Sequence, residues 1–391
     1  MRRSHYEDLL ARKLRGFPAV VLLGPRQAGK SSLAATTSGK RTVFDLERPS
    51  DLARLRAAPE DDLGDLQRQP GTIIIDEIQR EPSLFALLRP LLDDKKRRAR
   101  YLLLGSASPT VVAGVSESLA GRAGFVDQTP FLACEAGTTR PRLNRLWVRG
   151  GFPRSFLARS DEASVEWREA YVRTLLERDL PGLRPGIPVA TISRLLTMIA
   201  HLHGSPVNES ELASSLGLSA PTVGRYIDVL EGLFVVRRLP PYFANIGKRL
   251  TKAPRIYVRD SGLLHALLGL PDNNALRSHP KAGASWEGFV IEQVVGAFAA
   301  AGETVRASFW RTSGGAEVDL ILERGPKRVA VEVNLGTPSA SRGFHECVKD
   351  LKCRGVVIHG GVDDYPMSPM ASALSVSATS DVRRLEKALF A

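Results

Sequence analysis

Apolar positions along the chain fall into three regimes. Up to about residue 130, short apolar runs alternate with stretches of helical spacing. The runs are AVVLL at 19–23, RTVFDL at 41–46, GTIIIDE at 71–77, RARYLLLGSA at 98–107 and AGFVDQTP at 123–130. The run at 71–77 is continuous rather than alternating, as strands buried on both faces are. Residues 1–18 read as a short helix ahead of the first run. Strands separated by helices in this way predict an α/β domain with a doubly wound parallel sheet.

The pattern changes at about 140. RLWVRGGFPRSFLAR at 145–159 opens a helix-rich segment punctuated by Gly-Gly and Pro, with helical periodicity over 161–180 and 188–203. It changes again near 280. SWEGFVIEQVVGAFAAAG at 285–302 has the spacing of an amphipathic helix, and residues 308–334 predict a strand, a hairpin and another strand. The tail from 340 alternates helix and strand. We therefore expect domains at 1–139, 140–279 and 280–391. The length of 391 residues agrees, because single cores stop growing at about 250–300 residues.

Charge adds a partner class. Lysine and arginine number 54 against 42 acidic residues, a formal net charge of +12. That favours a polyanion such as DNA, RNA or an anionic membrane surface, although an arginine-rich composition alone gives the same figure. Three cysteines, Cys134, Cys347 and Cys353, include no C-x-x-C pair. This excludes a disulfide scaffold and a cysteine zinc site, and fits a reducing compartment. The N-terminus lacks the apolar core of a signal peptide, and no apolar run reaches about 18 residues. A cytoplasmic protein that does not span a membrane is expected.

GPRQAGKS at 24–31 matches G-x-x-x-x-G-K-S between an apolar strand and a helical stretch. In such a loop the glycines let backbone N–H groups face phosphate at a helix N-terminus. The expected nucleotide-binding residues are Gly24, Pro25, Arg26, Gln27, Ala28, Gly29, Lys30, Ser31 and Ser32. Lys30 reaches the β- and γ-phosphates, and Ser31 ligates Mg2+. Asp76, closing the apolar run TIIID, is the second expected holder of Mg2+. Glu77 is positioned to polarise the attacking water. Ser106, at the tip of LLLGS, reads as a γ-phosphate sensor or as a plain loop serine. Arg122, in SLAGRAG, reads as an arginine finger acting on a neighbouring subunit, hence a homo-oligomer, or as a surface arginine. No guanine-reading N-K-x-D follows, so ATP is expected rather than GTP.

GPRQAGKSSLA, IIIDEIQREPSLFALLRPLLD, LLLGSAS and ESLAGRAGFVDQTPFLACE together resemble the AAA+-type ATPases common in bacteria and archaea, which carry a C-terminal domain of unknown function. The resemblance covers nearly the whole chain. It implies a P-loop ATPase and makes Gln79, in DEIQ, a candidate to position water or γ-phosphate. It also implies that LLERDL and ANIGKRLTKAPRIYVRDSGLLHALLG belong to the shared architecture, and that a restriction-endonuclease-like domain closes the chain.

The middle segment reads as a winged helix. Asn208 caps one helix, GLS makes a turn, and Ser219 caps a second helix with Val223, Ile227 and Leu230 on its inner face. Thr222 and Arg225 fall on the outer face, where a recognition helix meets DNA. Lys248, Arg249 and Lys252, with Arg255 and Arg259, add a basic run. The other reading is a packing or oligomerisation module.

In the last segment Asp319 and Glu332 end successive strands, and Glu287 lies on the preceding helix. This resembles a PD-(D/E)xK nuclease core, whose acidic residues hold Mg2+. Position 334, however, is asparagine where that core needs lysine, and an amide brings no positive charge to the developing phosphorane. Three functions stay open: an ATPase coupled to DNA binding or remodelling, an ATP-gated switch on a protein partner, and an ATP-gated nuclease disfavoured by Asn334.

Overall fold

The computed structural model describes residues 1–106, 117–180, 188–242 and 253–391. The chain folds as two compact units, Met1–Pro130 with Gly232–Phe234 and Ala300–Gly302, and Phe131–Glu231 with Val235–Ala299 and Glu303–Ala391.

The first unit is built on five strands: β1 Ala19–Leu23, β2 Arg41–Asp45, β3 Gly71–Asp76, β4 Ala99–Gly105 and β5 Ala123–Asp127. They pair in the order β2-β3-β4-β1-β5, all in parallel. This is the parallel α/β sheet that the apolar runs predict. Central β1 is buried along its whole length. Edge strand β2 leaves Val43 exposed. Helices Ser4–Gly16, Pro49–Ala57, Pro59–Gln67 and Ser83–Asp93 cover the sheet. Phe44, Leu63, Phe85, Leu88 and Leu103 fill the core. Burying each such side chain contributes about 1.5–3 kcal/mol.

The second unit opens with helices, the longest being Arg140–Arg149, Asp161–Thr174 and Val189–His201. Strand β6, Ser205–Pro206, and helices Glu209–Leu216 and Ala220–Gly232 follow. Strands β7, Val236–Leu239, and β8, Arg255–Val258, complete an antiparallel sheet in the order β6-β8-β7. Asn208 caps as expected, accepting from Ser210 N at 3.1 Å. The Ser219 hydroxyl instead pairs with that of Thr222 at 2.9 Å.

The long helix Ala282–Ala301 leads to β9 Arg306–Arg311, β10 Glu317–Arg324 and β11 Lys327–Asn334, an antiparallel meander. Helix Arg342–Leu351 then crosses to β12, Arg354–His359, which runs parallel to β11. Strands β13 Tyr365–Ser368 and β14 Ala371–Ser375 extend this mixed sheet to the order β13-β14-β12-β11-β10-β9. Parallel pairing of β11, β12 and β14 aligns their carboxyl ends at Asn334, His359 and Ser375.

Candidate functional sites: the phosphate loop and a guanidinium-filled acidic centre

The loop after β1 has the geometry that phosphate binding needs. A Cβ at Gly24 would overlap the Gln128 carbonyl oxygen, so only glycine lets the two backbones pass. Gly29 has φ +92°, and Gln27 also has positive φ, at 60°. Helix Lys30–Ala34 starts directly behind. Lys30 is buried, and its Nζ donates to Gly24 O at 3.0 Å and to Pro25 O at 3.1 Å. The ammonium is thus held over the loop's own carbonyls.

Ser31 and Asp76, 45 positions apart, meet at the head of the sheet. Ser31 Oγ donates to Asp76 Oδ2 at 2.7 Å, while Asp76 Oδ1 accepts from Glu77 N at 2.9 Å. Glu77 turns the chain with φ 57°, an uncommon conformation for a non-glycine residue. Its carboxylate accepts from Gln79 Nε2 and lies 3.9 Å from Arg26 Nη2, which also pairs with Glu47. Burial raises the Glu77 pKa, and Lys30 and Arg26 offset part of that rise. Ser106 is buried just after β4, between the strand that carries Asp76 and the strand that carries the loop. Ser32 is exposed on the loop's helix. A hydroxyl and a carboxylate side by side form an all-oxygen donor set suited to Mg2+.

Two residues that motif reading missed brace the loop. Gln128 Nε2 and Arg3 Nη1 both donate to Ala28 O, at 2.8 and 3.0 Å. Arg3 Nη2 also donates to Thr129 O at 2.8 Å, and the Tyr6 hydroxyl accepts from Thr129 N at 3.1 Å. No motif marks Arg3, and the stretch that carries the family resemblance around Gln128 gives that residue no role. The nearest signal is polarity, in a Gln-Thr pair ending an apolar strand.

Arg122 precedes β5, and its carbonyl accepts from Ala19 N at 3.2 Å. It therefore sits at the amino end of the parallel sheet, whereas the loop leaves the carboxyl end. Its guanidinium forks onto Asp93, with both contacts at 2.7 Å.

In the second unit the three expected carboxylates do not converge on a common metal position. Arg255, 3% exposed, fills the place. Its guanidinium lies 3.1 Å from Glu287, 2.8 Å from Glu317 and 3.5 Å from Asp319. The Tyr257 hydroxyl donates to Glu287 at 2.5 Å, and Asp319 Oδ2 accepts from Val333 N at 2.9 Å. Glu332 accepts from Ser341 Oγ at 3.0 Å. Asn334 Oδ1 accepts from Ser339 N at 2.7 Å. Burial and the nearby Asp319 raise the Glu287 pKa to about 8. Among the described residues, no group of three or more histidine, cysteine or carboxylate side chains can hold a metal ion. Of the three residues expected to hold Mg2+, Glu287 and Asp319 contact the Arg255 guanidinium and Glu332 is bonded to Ser341.

The basic run is corrected in part. Arg255 points inward, and Arg259 pairs with the buried Glu292 at 3.1 Å. Burial works against the Glu292 charge, yet Arg237 and Arg259 hold its pKa down at about 2. Lys248, Arg249 and Lys252 lie outside the described residues. Thr222 and Arg225 share the outer face of helix Ala220–Gly232, where Arg225 Nη2 donates to Thr222 Oγ1 at 3.0 Å. Asp228 and Glu231 on the same helix pair with Arg238. Among the described residues, no helix is long and apolar enough to cross a membrane.

The braced loop, the Ser31–Asp76 pair and the parallel sheet define a P-loop ATPase fold. Comparison with known proteins agrees: residues 16–136 match an AAA domain model. Residues 140–274 and 282–378 match two domains of unknown function, DUF8612 and DUF4143. Uncharacterized proteins of Mycobacterium tuberculosis (strain ATCC 25618 / H37Rv) and Mycobacterium bovis (strain ATCC BAA-935 / AF2122/97) are each 44% identical over 369 residues, covering 93% of this chain and 81% of theirs. The chain belongs to the same family as these mycobacterial proteins. Its fold is also similar to that of a Walker-type ATPase of Pyrococcus abyssi, with a TM-score of 0.51 at 16% identity, over 68% of this chain and 95% of the other.

Proposed function

We infer that the protein is a Mg2+-dependent ATPase whose nucleotide state governs how its second unit holds DNA. The observation that carries the enzymatic half is the 2.7 Å contact between Ser31 Oγ and Asp76 Oδ2, with Glu77 directly behind it. Ser31 and Asp76 would hold Mg2+. The ion, when bound, neutralises charge on the phosphate oxygens. Lys30 exchanges its two backbone carbonyls for phosphate oxygens, which compensate its charge better. Glu77 accepts the proton of the attacking water, and its raised pKa makes it a stronger base than an ordinary carboxylate. Gln79 orients that carboxylate, and Ser106 is placed to register the γ-phosphate. Arg122 acts only across a subunit boundary, because in its own chain it lies at the far end of the sheet. Such a role requires the Asp93 pairing to open, and it makes a homo-oligomer the working form.

The DNA half rests on arrangement and charge. Three helices and a small antiparallel sheet, in the chain order helix, β6, helix, helix, β7, β8, follow the layout of a winged helix. Helix Ala220–Gly232 takes the recognition position with Thr222 and Arg225, and the net charge of +12 supports a polyanionic partner. We read three modules, at 1–139, 140–279 and 280–391, and we place the protein in the cytoplasm. We read the last module as a restriction-endonuclease-like core without cleavage, since Arg255 takes the metal's place and Asn334 the lysine's.

One observation favours a second reading. Asp228 and Glu231 give the outer helix an acidic flank that repels phosphate, which would suit a protein partner. ATP turnover at low salt, with and without duplex DNA, separates the two readings, with Lys30→Ala as the blank. Several-fold stimulation that fades steeply with salt supports DNA. An unchanged Lys30-dependent rate moves the assignment to a protein-binding switch.

A further inference from the structure

The second unit contains a cavity of about 150 Å³ that has no part in the nucleotide site. It opens beyond the aligned carboxyl ends of β11, β12 and β14, where Leu335, Gly360 and Val376 follow the three strands. Carboxyl ends of parallel strands are where α/β sheets hold ligands, because the chain turns away there and leaves a crevice.

One wall is the buried Trp286, which is fixed from two sides. Its Nε1 donates to Asn334 O at 3.0 Å, and its ring packs edge-on against Trp147 at 5.1 Å. Trp147 is itself held by a 3.0 Å bond to Ser285 Oγ. Gly360 keeps the indole edge open to the space. A Cβ there would lie 2.6 Å from Leu335 O and 3.4 Å from Trp286 Cζ2. The apolar wall is therefore formed before any ligand arrives.

The rim has one sign of charge. Arg140 and Arg277 line it, with no acidic residue among the lining side chains. Neither arginine has a carboxylate partner among the described residues. Arg277 is nonetheless held in place, over the Trp147 ring at 5.5 Å, donating to Asn144 Oδ1 and Asn273 Oδ1, both at 3.2 Å. That bond occupies the Asn144 acceptor, and Asn144 itself lines the cavity. Two arginines and an asparagine thus line the same cavity as a rigid aromatic wall. A cavity of this size holds a single ring.

The geometry points to a binding site for a small planar aromatic anion, with its ring against Trp286 and its phosphate or carboxylate on Arg140 and Arg277. The test uses the full chain carrying Lys30→Ala, so that phosphate on the P-loop is not read. Phenyl phosphate, benzoate, inorganic phosphate and phenol are titrated separately by calorimetry. The two aryl anions should bind, and inorganic phosphate and phenol, each carrying half of the chemistry, should bind at least tenfold more weakly. Preference between phenyl phosphate and benzoate identifies the anionic group. Arg277→Gln and Arg140→Gln, both on exposed side chains, should each weaken binding about tenfold or more, as loss of a charge-assisted hydrogen bond does. Three results would overturn the assignment: no aryl anion binding at millimolar concentration, inorganic phosphate binding as tightly as phenyl phosphate, or binding indifferent to both substitutions.

Discussion

Ser31 Oγ donates to Asp76 Oδ2 at 2.7 Å although 45 residues separate them. Parallel strands β1 and β3, with β4 between them, bring the helix after one to the end of the other. This contact joins the phosphate loop to the carboxylate proposed to hold Mg2+. Lys30→Ala removes the cation proposed to meet phosphate, and Asp76→Asn removes the charge proposed to hold Mg2+. Each should lower ATP turnover by about 10²-fold or more, the usual loss when one preorganised charge leaves a transition state. Steady-state phosphate release, with circular dichroism to confirm folding, checks both.

Glu77→Gln should retain nucleotide binding and lose about 10²–10⁴-fold in turnover, the range for removal of a general base. The base acts deprotonated, so the wild-type rate should fall as pH drops through its folded pKa. Because burial raises that pKa, the acidic limb should lie above the range of an ordinary carboxylate. A kcat–pH profile, against the flat residual rate of Glu77→Gln, reads this directly.

Arg3→Ala and Gln128→Ala each remove one donor from the Ala28 carbonyl. The Arg3 substitution should cost about 1.5–3 kcal/mol and the Gln128 substitution about 1 kcal/mol, following the difference between charged and neutral hydrogen bonds. Both should loosen the loop and weaken nucleotide affinity. Denaturant unfolding and fluorescent-nucleotide titration measure the two effects.

Arg255→Ala leaves Glu287 and Asp319 buried beside Glu317 without their cation. Breaking a buried pair in this way costs about 3–5 kcal/mol. The Glu287 pKa stands at about 8 in the folded protein, above its ordinary value of 4.5. The folded state therefore binds the extra proton more tightly, so this group's stabilisation is full at low pH and is lost as pH rises from about 4.5 to about 8. Glu287→Gln should flatten the stability profile across that window. Thermal unfolding from pH 4.5 to 8.5 tests both variants.

Arg225→Ala should weaken duplex DNA binding and reduce its salt slope by about 1, as loss of one phosphate contact does. Fluorescence anisotropy over a salt series checks it. A slope equal to that of the wild type removes this helix face from any DNA interface.

The sheet of the first unit and the shape of the loop after β1 are legible in the amino-acid sequence because both are local. A continuous apolar run such as TIIID can be buried only on two faces, and a Gly-rich turn ahead of a lysine carries its geometry within eight residues. Likewise, Asn208 caps its helix through neighbouring N–H groups, as its position suggests. What reaches across the chain is decided by the tertiary structure. Arg3 and Gln128, 125 positions apart, meet at the Ala28 carbonyl, and no spacing rule links them. Arg255 reads as part of a surface basic run, yet β8 turns it into a nest of carboxylates. Its charge is the same in either setting. Only the fold determines whether that charge faces water or Glu287, because strand pairing sets which side of β8 is buried.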